Sequence, residues 1–311
     1  MKTIGVIARP DLREAGPVLR NLVSWLRSQG ASVCLSGPTA ALMDGISPGE
    51  CWVGPGAEVA SRADAMVVLG GDGTLLRASH LLDKRSVPVL GVNFGSLGFL
   101  TEITLDELYP SLASLLADSY AYQDRTMLRA VIHRSGEPPV TGEALNDVVV
   151  TKAAVVSRII ELDVAVDGVF VSSFRADGLI VSTPTGSTAY NLAAGGPILH
   201  PALAALVVTP ICPHMLTNRP LVIGDQASLE VSLRTSNVEV HVTLDGQEGF
   251  ALGDRDRVVV GRSPRTLRLV TAPGRDYFEV LRTKLKWGES RNAAAGPESR
   301  DRTPARRDGP E

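Results

Sequence analysis

The apolar positions along the chain change their period once. The run Ile4-Gly5-Val6-Ile7-Ala8 reads as a strand. Val18, Leu19, Leu22, Val23 and Leu26 then recur at helical spacing, Gly30 stops them, and Ser32-Val33-Cys34-Leu35 is a second strand, so the chain opens as β-α-β. From Ser36 to Ala63 the sequence is rich in Gly, Pro and Ala with weak periodicity, and the reading there is loops with a short helix. Met66-Val67-Val68-Leu69 is a buried strand that stops at Gly70-Gly71-Asp72-Gly73, and a helix follows from Thr74 to Leu82. A further strand, Pro88 to Val92, runs into a second glycine turn, Asn93-Phe94-Gly95-Ser96-Leu97-Gly98-Phe99-Leu100. Leu105, Leu108, Leu112, Leu115 and Leu116 mark one more amphipathic helix, and the α/β part closes near residue 124.

Beyond it the pattern alternates. Residues 129–133, 147–151, 160–166, 169–171, 179–182, 228–231, 238–242 and 257–260 read as strands, and Asp167-Gly168 is a type I′ hairpin turn. Leu267 to Val270 and a helix through Phe278, Leu281 and Leu285 return to the first domain. The domains expected are therefore 1–124 with the returning segment 266–288, a mainly β unit over 125–265, and a tail over 289–311. That tail lacks large aliphatic and aromatic residues and is expected to be disordered.

Composition adds bounds rather than a function. The 311 residues are 44% hydrophobic with a formal net charge of -3, so no overall basic field recruits nucleic acid or an anionic membrane. The three cysteines, Cys34, Cys51 and Cys212, have no metal-ligand spacing and suit a reducing, cytoplasmic setting. The apolar run at the N-terminus is shorter than a signal-peptide core, and no stretch reaches membrane-spanning length.

The chemistry concentrates in the glycine turns. Two parallel strands ending in such turns can bring them side by side at the carboxyl edge of a sheet, where open α/β sheets bind ligands. Glycines and a helix N-terminus make an anion-binding concavity. A carboxylate there, Asp72, repels a phosphate unless it takes a proton or stands beside a metal; its other use is to N-cap the helix through the Thr74 N–H. A second group, Thr183-Pro184-Thr185-Gly186-Ser187-Thr188-Ala189-Tyr190, packs hydroxyls and a tyrosine into one turn, either as a binding surface or with Ser187 or Thr188 as a helix cap. Asn146-Asp147 lies at the start of a strand. Walker-type phosphate loops, dinucleotide fingerprints, serine nucleophile elbows and zinc helices are missing from the sequence.

Together Gly70-Gly71-Asp72-Gly73-Thr74, the turn from Gly91 to Leu100, Asn146-Asp147, Asp177-Gly178, Thr183 to Pro197 and Asp245-Gly246-Gln247 resemble the NAD kinase family over roughly residues 3 to 288. The resemblance implies an α/β N-terminal domain with a Rossmann-like parallel sheet, a mainly β C-terminal domain, the active site in the cleft between them, and a homo-oligomer, tetramer or dimer. It implies transfer of the terminal phosphate of ATP or polyphosphate to the 2′-hydroxyl of the adenosine ribose of NAD, with Mg²⁺ carried on the donor and no dedicated protein metal site. By the same resemblance Asp72 would be the general base. Gly70, Gly71, Gly73 and Thr74, with Arg77, Asn93 and Phe94, would hold the nucleotides. Asn146 and Asp147 would hold the ribose, Thr185, Thr188, Ala189 and Tyr190 would line the dinucleotide pocket, Asp177 would stand at its nicotinamide end and Asp245 near the reacting hydroxyl. Most of the family has Glu where this chain has Asp147, one methylene shorter. Arg175 lies two residues before Asp177, where it could bear on the choice of NAD or NADH. The first glycine turn is shared with lipid kinases of the diacylglycerol kinase type, which would need a membrane-facing segment. A non-catalytic NAD(H) sensor on the same scaffold is the third reading.

Overall fold

The first glycine turn interrupts a parallel ladder, and the rest of the N-terminal part is built to present that interruption. The structure is a computed structural model that describes residues 2–287 except 44, 47–48, 83–85, 96, 154–157, 216, 237 and 273. The expected disordered tail, 289–311, lies outside the described residues. Strand β1 (Thr3–Ala8), helix α1 (Ala15–Ser28) and β2 (Ser32–Ser36) form the opening β-α-β unit. Leu19, Leu22, Val23 and Leu26 of α1 are fully buried, and Gly30 leaves the helix at a φ of +77°, a conformation that glycine adopts without strain.

The stretch read as loops and a short helix contains more order than its periodicity shows. It holds α2 (Gly37–Ala40), the edge strand β3 (Trp52–Gly54) and α3 (Gly56–Arg62). Three residues are too few to display a strand period. Next come β4 (Ala65–Leu69), α4 (Asp72–Leu81), β5 (Val89–Val92) and α5 (Leu108–Leu116). The strands lie in the order β3-β2-β1-β4-β5, all parallel. Every residue of β4 and of β5 is buried, as a strand covered by helices on both faces must be.

The remaining strands are β6 (Tyr122–His133), β7 (Val140–Ala144), β8 (Asp147–Lys152), β9 (Ile160–Val166), β10 (Val169–Ala176) and β11 (Gly178–Ser182). The short helix α6 (Tyr190–Ala193) precedes β12 (Ala205–Ile211), β13 (Leu221–Gly224), β14 (Leu229–Leu233), β15 (Val240–Leu244), β16 (Glu248–Leu252), β17 (Arg257–Val270) and α7 (Tyr277–Leu285). Six of them make one antiparallel sheet, β13-β12-β11-β8-β15-β16. It shares a core with β9, β14, β17 and β6: Val148, Val150, Leu179 and Val181 pack in one cluster with Leu162, Val164, Val231 and Val258. The spacing of two between Val148 and Val150, Leu179 and Val181, and Leu162 and Val164 is the strand alternation read from sequence. Asp167 and Gly168 turn the β9-β10 hairpin with φ of 50° and 78°, the type I′ geometry that this dipeptide favours.

Strand β17 joins the two parts. The sequence shows it as two short strands, 257–260 and 267–270; in the structure they are one bent strand with an irregularity in its pairing to β6 between Arg262 and Thr266. Its first part pairs with β14, and Leu269 near its end pairs with Val89 of β5, so an eleven-stranded sheet runs through both parts without a break.

Candidate active site

Three strand ends meet at the carboxyl edge of the parallel sheet. The Arg9 N–H donates to the Leu69 carbonyl at 2.9 Å and the Gly70 N–H to the Val92 carbonyl at 2.9 Å, so residues 9, 70 and 93 leave β1, β4 and β5 side by side. Gly70 takes a φ of +152°, and a Cβ there would press on the Thr74 hydroxyl. The two glycine turns are thus adjacent, and a cleft of about 370 Å³ opens between them, walled by Gly71, Asp72, Asn93 and Phe94 and also by Arg9 and Lys284.

Asp72 is not the cap of its helix. Gly71 is the N-cap residue, its carbonyl accepts from the Thr74 N–H at 2.9 Å, and Asp72 is the first residue of α4. The carboxylate instead crosses to the second turn. Its Oδ1 accepts from the N–H of Leu100 and Thr101, both at 3.0 Å, and from the Thr101 hydroxyl at 3.0 Å, while Oδ2 accepts from the Phe99 N–H at 2.8 Å. A Cβ at Gly98 would collide with Oδ1, which is why that position of the second turn is glycine. Four donors thus hold the acid in an otherwise phosphate-like nest. Of its two oxygens, Oδ2 keeps an open lone pair.

A buried ion pair lies behind this turn. Arg125 and Glu102 are 2% and 7% exposed, with Arg125 Nη2 3.6 Å from Glu102 Oε1. Burial raises the Glu102 carboxyl, with Arg125 and Arg275 opposing and Asp72 adding to the rise. Burial likewise lowers Arg125.

Residues 145–147 form a second carboxylate-centred turn. Asp245 accepts from three successive backbone N–H groups, Leu145 at 2.8 Å, Asn146 at 2.7 Å and Asp147 at 3.0 Å. Its side chain is 0% exposed, so it shapes the 145–147 turn from behind. Sequence reading sets Asp245 near the reacting hydroxyl; in the structure its carboxylate is taken up by the 145–147 N–H groups and His80. Asp245 and Gly246, at φ of 52° and 62°, also form the tight turn between β15 and β16. Asp147 is 6% exposed, and its carboxyl is pushed up to about 7, first by burial and then by the Asp245 charge.

The Thr183–Tyr190 segment closes over the same turn. The Thr183 hydroxyl donates to the Leu145 carbonyl at 2.6 Å, and the Thr183 N–H to the Asn146 carbonyl at 2.9 Å. Gly186 lies so close to the Asn146 carbonyl that a Cβ would overlap it. Ser187 and Thr188 do not cap α6; their hydroxyls donate to the carbonyls of Pro184 and Thr185. Thr185 is buried, whereas Ala189 and Tyr190 are exposed. Burial raises the Tyr190 hydroxyl, and the charges of Cys212, Asp147 and Asp177 add to that rise. Asp177 itself pairs with Lys152 at 2.7 Å.

Comparison with known proteins decides what this pair of turns belongs to. Residues 4–120 match the model of the ATP-NAD kinase N-terminal domain, and residues 145–272 match that of the ATP-NAD kinase C-terminal domain. The chain is 48% identical to the NAD kinase of Geotalea daltonii over 289 residues, which are 93% of this chain and 100% of that one. The chain belongs to the NAD kinase family. As a member it is a kinase that phosphorylates NAD to NADP. The NAD kinase of Syntrophotalea carbinolica is 47% identical over 289 residues, again 93% of this chain and 100% of that one. Among solved structures, yeast NADH kinase complexed with NADH superimposes with a TM-score of 0.84 at 26% identity, covering 93% of this chain and 88% of that one. An NAD kinase from Archaeoglobus fulgidus in complex with ATP gives 0.71 at 25% identity, covering 90% and 99%. The family's α/β part with a parallel sheet and its mainly β part are the architecture described above.

Against the NAD kinase motifs, the structure groups the residues in two sets. Gly70, Gly71, Asp72, Asn93 and Phe94 share the cleft at the strand ends, with Gly73 and Thr74 in the first turn of α4. Arg77 is exposed one turn further along α4 and is not part of the cleft wall. Asn146, Asp147 and Asp245 form the 145–147 turn, the segment carrying Thr185, Thr188, Ala189 and Tyr190 is tied to it through Thr183, and Asp177 lies at the other end of β8, against Lys152. Sequence reading missed two cations. Arg9 follows β1 directly and is paired with Asp11 at 3.0 Å; its place after a strand beside the motif was a usable signal. Lys284 comes from α7 and makes no ion pair with any described residue. Nothing local to Lys284 announces a phosphate wall.

Proposed function

We propose that the cleft at the strand ends receives the donor phosphates, that the 145–147 turn receives the adenosine ribose of NAD, and that Asp72 takes the proton from the 2′-hydroxyl. One observation carries this reading: a carboxylate set into a nest of backbone N–H groups at a helix N-terminus, with one lone pair open toward the cleft. Phosphoryl transfer through a loose transition state asks mainly for placement and charge neutralisation, and little of the base. An oxygen with one free lone pair meets that demand.

In this reading Gly70, Gly71, Gly73, Thr74, Asn93 and Phe94 cradle the donor, and Lys284 and Arg9 supply positive charge. Asn146 and Asp147 hold the ribose hydroxyls. A carboxyl near 7 is half protonated at neutral pH, so Asp147 can donate a hydrogen bond as well as accept one. Thr185, Thr188, Ala189 and Tyr190 line the dinucleotide pocket, and Asp177 stands at its nicotinamide end. ATP in the Archaeoglobus fulgidus complex supports ATP as donor, and polyphosphate presents the same terminal group. NADH in the yeast complex supports a dinucleotide on the acceptor side.

Among the described residues no group of three or more His, Cys, Asp or Glu is arranged to hold a metal ion. We place Mg²⁺ on the donor phosphates with several waters, the usual state of this ion at phosphoryl-transfer sites. When bound, the ion would neutralise charge on the donor phosphates. A homo-oligomer is supported by the exposed apolar residues of the β10 hairpin, Val169, Phe170 and Val171, and of β13, Leu221 and Val222. Three cysteines without disulfides support a reducing, cytoplasmic setting. No described helix is long and apolar enough to cross a membrane.

The test is Asp72→Asn. Loss of a general base costs roughly 10²- to 10⁴-fold in kcat. An amide facing the 99–101 N–H groups also costs about 1–3 kcal/mol of stability, visible as a lower melting temperature. A folded variant that keeps near-normal turnover would remove Asp72 from the chemistry.

A further inference from the structure

Helix α4 carries a carboxylate clamp at each end. At its start Asp72 grips the 99–101 turn. Near its end His80 Nε2 lies 2.8 Å from Asp245 Oδ2, and Asp245 grips the 145–147 turn through three backbone N–H groups. A carboxylate oxygen accepts, so Nε2 carries the hydrogen of this bond. Asp72 and His80 are eight residues apart, about 12 Å of helix at 1.5 Å per residue. One short rod therefore touches both halves of the proposed site.

The contact is sheltered. The side chain of His80 is 13% exposed and that of Asp245 is 0% exposed. On the other side of the ring, Nδ1 is 4.0 Å from Glu248 Oε1, beyond hydrogen-bond distance, and the ring borders a cavity of about 720 Å³ that Arg129, Glu143 and Arg265 also line. Those groups leave the Nε2 contact as the ring's close polar bond. His80 does not line the donor cleft.

We infer that His80 is a positioning residue for the acceptor: it ties the Asn146–Asp147 turn to the helix that carries Asp72, and so fixes where the ribose hydroxyl sits relative to that acid. The inference rests on the assignment of the two turns to acceptor and donor. Without the Nε2 bond, Asp245 keeps its backbone partners but loses its tie to α4. Leu145 still packs with Leu75 and Ala78 of α4 in one buried apolar cluster, so the turn stays docked but loses the polar tie that sets its angle, and NAD binding weakens while ATP binding does not.

The experiment compares His80→Ala and His80→Gln in the full chain. It reads KM for NAD, KM for ATP and kcat, with the NAD dissociation constant measured calorimetrically in the absence of donor. Loss of a buried hydrogen bond to a carboxylate is expected to raise the NAD constants about 10-fold or more in His80→Ala. KM for ATP should stay within about 2-fold, and His80→Gln, whose amide N–H can reach Asp245, should recover most of the loss. Unchanged NAD constants, a parallel rise in KM for ATP, or a Gln variant no better than Ala would overturn the inference. Should His80→Ala not fold, His80→Asn, one methylene too short for the same reach, takes its place with the same outcomes. Wild-type enzyme that forms no NADP would instead overturn the assignment of the turns, so the two failures are separable.

Discussion

Asp147, at the start of β8, and Asp245, on the β15–β16 turn, are brought together by the Asp147 N–H bond to the Asp245 carboxylate, and their closeness sets a pH dependence. The Asp147 carboxyl is raised from an ordinary 3.8 to about 7, so the folded state holds its proton more tightly than the unfolded chain. The resulting stability is complete below about pH 4 and is lost as pH rises toward 7. Asp147→Asn, which cannot ionise, is expected to flatten this slope: its melting temperature relative to wild type should climb between pH 5 and pH 8. A constant difference over that range would mean that Asp147 is ionised throughout. At the donor cleft, Lys284→Gln is expected to raise KM for ATP by roughly 3- to 10-fold, with KM for NAD unchanged, as fits one partly exposed cation on a phosphate. Equal constants for ATP in variant and wild type would exclude Lys284 from the cleft's chemistry. The sequence exposed Asp72 as either a helix cap or a site carboxylate, because an apolar strand is cut off there by glycines around one acid. Lys284 was hidden because it lies more than 200 residues further on and reaches the cleft only through the packing of α7.

The glycines of the site separate into positions that serve the fold and positions open to a ligand. A Cβ at Gly98 would strike the Asp72 carboxylate and one at Gly186 the Asn146 carbonyl, whereas nothing lies within 4 Å of a Cβ at Gly73. Gly73→Ala, inside α4, is therefore expected to keep or raise the melting temperature by the equivalent of about 0.5–1 kcal/mol while raising KM for ATP. Gly98→Ala should lower both stability and turnover. If Gly73→Ala leaves KM for ATP untouched, the donor does not approach that turn. Elements with a clean period, such as α1, β4 and the β9-β10 hairpin, were legible in the sequence. Strands β3, β7, β12, β13 and β16 were not. The first has three residues, and β12 contains Pro210, which ordinarily argues against a strand; here it sits past Val208, the last residue paired to β13, where one side of β12 has no ladder to break. Strand β17 was legible only as two pieces, since the irregularity after Arg262 interrupts its alternation.

Across the whole molecule, the account depends on two halves meeting. The change of period near residue 125 shows that the chain has an α/β part and a β part. It does not show that β17 runs through both in one sheet, nor that α4 spans from one turn to the other, because both facts arise from pairing between distant segments. The family assignment makes the chain a kinase acting on NAD, and the geometry places the Asp72-bearing turn and the 145–147 turn, which we propose take donor and acceptor, at the two ends of a ten-residue helix. The most direct measurement supplies purified full-length chain with NAD, ATP labelled in its terminal phosphate, and Mg²⁺, and follows the label. The account predicts label in NADP, at the 2′ position of the adenosine ribose. Label released only as inorganic phosphate, or transferred to diacylglycerol and not to NAD, would contradict it.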